Sequence, residues 1–91
     1  MRERLAPGTM MHVTVRLFAI LRERAGVSSV ELELPDGATV AAAIEKISAQ
    51  HRAIGSSMKR SAFAVNRAYS ARDTVLRNGD ELAVIPPVSG G

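Results

Sequence analysis

From residue 12 onward the chain alternates. Val13, Val15 and Leu17 recur every second residue with Thr14, Arg16 and Phe18 between them, the period of a strand with one dry and one wet face. The strand is predicted to begin at His12, and it places Phe18 on the face opposite the valines. Ile20 to Gly26 sets Leu21 among Arg22, Glu23 and Arg24 and closes on glycine, which predicts one short helical turn. A second strand is predicted over Ser28 to Leu34, where Val30, Leu32 and Leu34 alternate with Glu31 and Glu33. Pro35-Asp36-Gly37 then makes a turn: proline presets φ, aspartate bonds back to the backbone and glycine accepts positive φ. Thr39 stands as the N-cap of a helix in which Val40, Ala43, Ile44 and Ile47 recur at spacings of three and four.

Helical order is predicted to end near Gln50 and His51, and the stretch through Gly55-Ser56-Ser57 reads as a loop. Further strands are predicted at Ser61 to Asn66, around Tyr69 and at Glu81 to Ile85. Asp73 to Leu76 reads as a single turn, and Arg77-Asn78-Gly79-Asp80 as a tight turn with positive φ supplied by Asn-Gly. Residues 1–10 show no period and read as a disordered leader before a domain over 11–85 and an extended tail over 86–91. Two strands, a crossover helix and a return to the sheet, with the usual right-handed crossover, make the last strand parallel to the first. The predicted class is α+β: a mixed sheet with one main helix on one face, the β-grasp or ubiquitin-like arrangement.

Composition narrows the chemistry. A chain of 91 residues forms one small core with no room for a cleft between lobes. It has no cysteine, which removes disulfides, thiolate metal sites and thiol nucleophiles. No apolar run reaches the roughly 20 residues that cross a bilayer, so a soluble cytoplasmic protein without a membrane partner is expected. The formal charge of +3 and pI near 10.2 raise nucleic-acid binding. Ten of the twelve basic residues are arginines scattered among nine acids, and Phe18, Phe63 and Tyr69 are too few to stack bases, so no nucleic-acid partner is expected. His12 and His51, the only histidines, stand apart, Glu31 and Glu33 point outward together, and no phosphate-binding glycine pattern occurs. Neither a catalytic constellation nor a metal site is predicted.

The end of the chain is different. After Ile85 it reads Pro86-Pro87-Val88-Ser89-Gly90-Gly91. Two prolines without N–H groups end strand pairing and hold the exit stiff and extended. Two glycines make the slimmest possible peptide, suited to threading a narrow channel in another protein. At a glycine usage of about 7%, a terminal Gly-Gly arises by chance in roughly one chain in two hundred; its place after a proline-stiffened strand makes it more specific than that.

The segments VRLFAILRERAG, PDGATVAAAI, Ala64 to Asn66 and above all NGDELAVIPPVSGG resemble the MoaD/ThiS family of ubiquitin-like sulfur carriers, and most closely the small subunits of molybdopterin synthase, over about Met11 to Gly91. The resemblance implies a carrier cycle. A MoeB-like, ubiquitin-activating-type adenylyltransferase uses ATP to adenylate the Gly91 carboxylate, and sulfur transfer makes it a thiocarboxylate. The charged tail, Pro86 to Gly91, enters a MoaE-like large subunit and gives its sulfur to a cyclic pyranopterin monophosphate, within a heterotetramer holding two copies of each subunit. No cofactor is bound permanently, and the chain is non-catalytic alone: it supplies positioning and a nucleophile.

Within that reading Gly91 is the chemical site, and Pro86, Pro87, Val88, Ser89 and Gly90 are the inserting tail. Phe18 is a candidate docking residue, with core packing beside the helix as the equal alternative; Leu76 is a second candidate, for which a core position is the commoner reading. Two other readings stay open: a ThiS-like carrier or ubiquitin-like modifier with a different acceptor, and a β-grasp interaction module in which Gly-Gly is incidental.

Overall fold

The computed structural model describes residues 10–87. Residues 1–9 of the leader expected over 1–10, and the end of the tail, residues 88–91, lie outside the described residues; Met10, expected in the leader, opens the first strand. Strand β1, Met10–Leu17, buries Met11, Val13, Val15 and Leu17. It begins two residues earlier than the alternation predicts, because Met11 is itself a core residue and Met10 pairs with Pro35. The chain then turns sharply: the Leu21 N–H donates to the Phe18 carbonyl at 3.1 Å across Ala19, which has φ 52°. Helix α1, Ile20–Ala25, follows and buries Leu21. It ends on Gly26, left-handed at φ 79°, whose N–H donates to the Arg22 carbonyl at 3.0 Å.

Strand β2, Ser29–Pro35, pairs antiparallel with β1 in a register that places Val13 opposite Leu32 and Val15 opposite Val30. Beyond the Pro35-Asp36-Gly37 turn the Thr39 hydroxyl accepts the Ala42 N–H at 3.3 Å and caps helix α2, Val40–Gln50. The predicted stripe of Val40, Ala43, Ile44 and Ile47 is the buried face of this helix.

The stretch expected as a loop is helical. A 3₁₀ turn, Arg52–Ile54, runs into helix α3, Gly55–Lys59. Ile54 and Met58, four residues apart and fully buried, fix this segment to the core, and that apolar pair outweighs the loop character of Gly-Ser-Ser.

Strands β3, Ala62–Val65, and β4, Ala68–Ser70, form a hairpin, and β5, Glu81–Ile85, completes the sheet. Of Asp73 to Leu76, expected as a turn, Asp73 lies in one closed by the Thr74 N–H donating to the Ala71 carbonyl at 3.1 Å, whereas Val75 and Leu76 run along the start of α2: Val75 bridges Thr39, and the Leu76 N–H donates to the Ala38 carbonyl at 2.8 Å. In the Arg77–Asp80 turn only Gly79 has positive φ, at 88°; the Asn78 side chain accepts the His12 N–H at 2.8 Å.

The sheet order is β2-β1-β5-β3-β4, with β5 parallel to β1 and the other neighbours antiparallel. This mixed five-stranded sheet with the helices on one side is the β-grasp fold expected from the sequence. Among the described residues every fully buried residue is apolar; the one buried polar side-chain atom without a hydrogen-bond partner is the hydroxyl oxygen of half-buried Ser48. The core is therefore a packing unit only; any chemistry belongs to the surface.

Candidate functional site

The sheet has a second face, which no helix covers among the described residues. Alternation decides what stands on it. In β5, Leu82 and Val84 point to the core, so Ala83 and Ile85 point away. The register carries this parity across the neighbours: Ala83 lies opposite Ala64 on β3 and Arg16 on β1, and Ala64 lies opposite Tyr69 on β4.

Phe18, just beyond β1, belongs to the same face and is 38% exposed; Tyr69 is 79% exposed. Together Phe18, Ala64, Arg67, Tyr69, Ala83 and Ile85 line a shallow hollow of about 400 Å³. A smaller hollow of about 210 Å³ adjoins it, walled by Arg16, Phe18, Arg67, Glu81 and Ala83. The short side chains of Ala64 and Ala83 stand beside the rings of Phe18 and Tyr69, and this difference in side-chain size leaves room for the hollow.

The tail leaves from this hollow. Its wall residue Ile85 is the last of β5, the central strand, and half-buried Pro86 and exposed Pro87 follow at once. Pairing on both flanks holds β5 in place: Ala62 faces Ile85 on one side and Leu17 faces Val84 on the other. The described part of the exit is thus anchored at the sheet's middle. Val88, Ser89, Gly90 and Gly91, the remaining tail residues singled out in the sequence, lie outside the described residues.

Of the two docking candidates, the structure brings only Phe18 to this face. Leu76 is 1% exposed and sits in the core cluster with α2, because the Val75–Thr39 bridge turns it inward. It offers no surface to a partner and takes the core position that is the commoner reading for this residue. The sequence reading missed Arg67, Tyr69, Ala64, Ala83 and Ile85 as members of one surface. The signal available was parity: Ile85 and Ala83 alternate with core residues, and an exposed apolar residue at the outward parity of a strand marks a covered or coverable face.

The electrostatics here are those of a solvated rim. Arg16 Nη1 lies 3.2 Å from Glu81 Oε2, the Thr14 hydroxyl donates to Glu31 Oε2 at 2.8 Å, and His12 Nε2 is 3.2 Å from Glu33 Oε2. Among the described residues there is no grouping of His, Asp or Glu fit to hold a metal ion, and no helix long and apolar enough to cross a membrane.

A ubiquitin-like β-grasp domain with an apolar hollow at the exit of its central strand is the class these features define. The chain belongs to the ThiS family, whose model matches residues 15–91. It is 43% identical over 83 residues to the molybdopterin synthase sulfur carrier subunit of Chlamydomonas reinhardtii, covering 89% of this chain and 100% of that one. The corresponding subunit of Dictyostelium discoideum is 39% identical over 80 residues, covering 85% of this chain and 93% of the relative. Among solved structures, SAMP1 from Haloferax volcanii is similar with a TM-score of 0.81 and 32% identity, covering 88% of this chain and 99% of that chain.

Proposed function

We propose that this chain is the sulfur-carrier subunit of a molybdopterin synthase, a cytoplasmic protein that donates sulfur from its C-terminal glycine and catalyses nothing alone. The observation that carries the reading is the junction of Ile85 with Pro86-Pro87: a tail leaving the central strand at the edge of an exposed apolar hollow. The end-to-end likeness to sulfur carrier subunits supports it.

In the proposed cycle an oxygen of the Gly91 carboxylate attacks the α-phosphorus of ATP on an activating enzyme, releasing pyrophosphate and leaving an acyl-adenylate. Hydrosulfide attacks the acyl carbon, AMP leaves with the bonding electrons, and loss of the thiol proton leaves a thiocarboxylate at Gly91. The hollow around Phe18 then seats the large subunit while the tail enters its active site. There the thiocarboxylate sulfur attacks the pterin precursor, and hydrolysis returns the carboxylate. Acids and bases belong to the partner; this chain contributes effective concentration and a nucleophile. Two copies of each subunit make the assembled synthase.

Incubation with an adenylyltransferase of the ubiquitin-activating type, ATP and a sulfur donor tests the chemistry. The expected product is a Gly91 thiocarboxylate, found by intact mass and then by fragmenting the C-terminal peptide. Fragmentation is needed because replacing oxygen by sulfur adds nearly the mass of one oxygen, and the four methionines oxidise by the same increment. Absence of the thiocarboxylate would overturn the reading. Capture with the intact tail tests the acceptor: a synthase large subunit is expected, whereas a thiazole synthase or a ladder of lysine conjugates would move the chain to another carrier pathway or to protein modification, the latter being the second reading, favoured by the likeness to the small archaeal modifier protein 1 of Haloferax volcanii.

A further inference from the structure

The β3–β4 hairpin closes on two residues, Asn66 and Arg67, with φ of 50° and 72°. Two successive positive φ values are the requirement of a type I′ turn, whose favoured pair is Asn-Gly. Asn66 meets that requirement and is held there. Its N–H donates to the Glu81 carbonyl at 2.8 Å, its Oδ1 accepts the Glu81 N–H at 2.9 Å, and its Nδ2 donates to Asp80 Oδ1 at 2.9 Å. Nothing in the turn asks for arginine at the second position, where any side chain is disfavoured relative to glycine. An unfavourable backbone retained against an available glycine points to a use for the side chain.

The side chain of Arg67 lines both hollows, among Phe18, Ala64, Tyr69, Ala83 and Ile85 in one and beside Arg16 and Glu81 in the other. In water the guanidinium is solvated. A partner seated on the hollow removes that water, and a desolvated cation among apolar walls must gain an anion or oppose binding. The acid on the shared rim, Glu81, is already engaged by Arg16 at 3.2 Å.

We propose that Arg67 is a specificity residue of this face, and that the partner docking here presents a carboxylate set within an apolar surface to receive the guanidinium in bidentate fashion. This rests on the docking role given to the hollow under the proposed function, and it adds the chemistry of the partner's surface.

The test is titration calorimetry of the full chain with the synthase large subunit at low and high salt, using the wild type, Arg67→Gly and Arg67→Met. Arg67→Gly removes the side chain and the backbone penalty together; it is expected to melt at or above the wild-type temperature and to bind about tenfold more weakly. Arg67→Met keeps the apolar stem and the backbone penalty but not the charge. It is expected to lose affinity by a similar factor and to show a flatter dependence on salt than the wild type. If wild type binds and both variants bind within about twofold of it, Arg67 has no such role and the proposal falls alone. A wild-type chain that does not bind the large subunit at all overturns the molybdopterin-synthase reading and this proposal with it.

Discussion

Asn66 and Glu81 bond to each other twice through one amide and one side chain: the Asn66 N–H donates to the Glu81 carbonyl at 2.8 Å, and the Glu81 N–H donates to Asn66 Oδ1 at 2.9 Å. The pair ties the β3–β4 hairpin to the first residue of β5, and so ties one wall of the hollow to the strand that carries the tail. Replacing Asn66 with alanine removes the side-chain bonds to Glu81 and Asp80 and puts a poor residue at φ 50°. The expected loss is about 2 kcal/mol, a fall of roughly 10 °C in melting temperature. Asn66→Gly, which keeps the backbone conformation at no steric cost, is expected to lose about half as much. Calorimetric melting of the two variants side by side separates the bonds from the backbone term. Equal losses would mean that the left-handed conformation contributes nothing.

Phe18 and Leu76 should separate stability from docking. Leu76 is buried among core residues, and Leu76→Ala is expected to cost about 2–5 kcal/mol in urea unfolding, depending on how far the cavity collapses. Phe18 lies on the helix-free face at 38% exposure, and Phe18→Ala is expected to change stability by less than about 1 kcal/mol while weakening capture of the large subunit. A Phe18→Ala chain that unfolds much more easily would place that ring in the core after all.

Strict periodicity made most of the fold legible. The strands β1 and β2, the α2 stripe and the Thr39 cap could all be read because each has a local cause: side chains every second residue, side chains every three or four, a hydroxyl at a helix start. The parallel β1–β5 pair followed from the handedness of the crossover. What escaped the sequence was decided at long range. The helix through Gly55–Lys59 exists because Ile54 and Met58 find the core from a segment of weak intrinsic preference. Val75 and Leu76 are extended because Ala38 and Thr39, more than thirty residues earlier, offer backbone partners. Of the candidate site, the tail and Phe18 were legible, whereas the hollow needed the register of four strands to bring Phe18, Ala64, Tyr69 and Ile85 together.

The Thr39 cap makes a separate prediction. Its hydroxyl accepts the Ala42 N–H at 3.3 Å, and its backbone bridges Val75. Thr39→Ala is expected to cost about 1 kcal/mol, lowering the melting temperature by roughly 4–8 °C. Thr39→Ser, which keeps the acceptor, should recover most of that loss. A serine variant as unstable as the alanine one would assign the effect to the threonine methyl and not to the cap.

The tail predicts the opposite pattern, full loss of function with no loss of fold. Among the described residues, 10–87, the buried ones run from Met11 to Val84, and Ile85 is the last paired in the sheet. A methyl group added at residue 91 is six residues beyond that pairing, so Gly91→Ala is expected to leave the melting temperature unchanged within error. Its effect is confined to the reacting carbon. In the cycle proposed above, the added Cβ stands beside the carboxylate that reaches the α-phosphorus of ATP on one partner and the pterin on another, and a misplacement near 1 Å in such a step costs about 10²-fold. Deletion of Gly91 leaves the carboxylate one residue, roughly 3.5 Å, short of its target. Both variants are expected to bind the large subunit almost as tightly as the wild type, since the hollow is intact, while sulfur transfer falls by about 10²-fold or more. Normal sulfur transfer by either variant would remove Gly91 from the chemistry and leave the domain an interaction module whose terminal glycines are incidental.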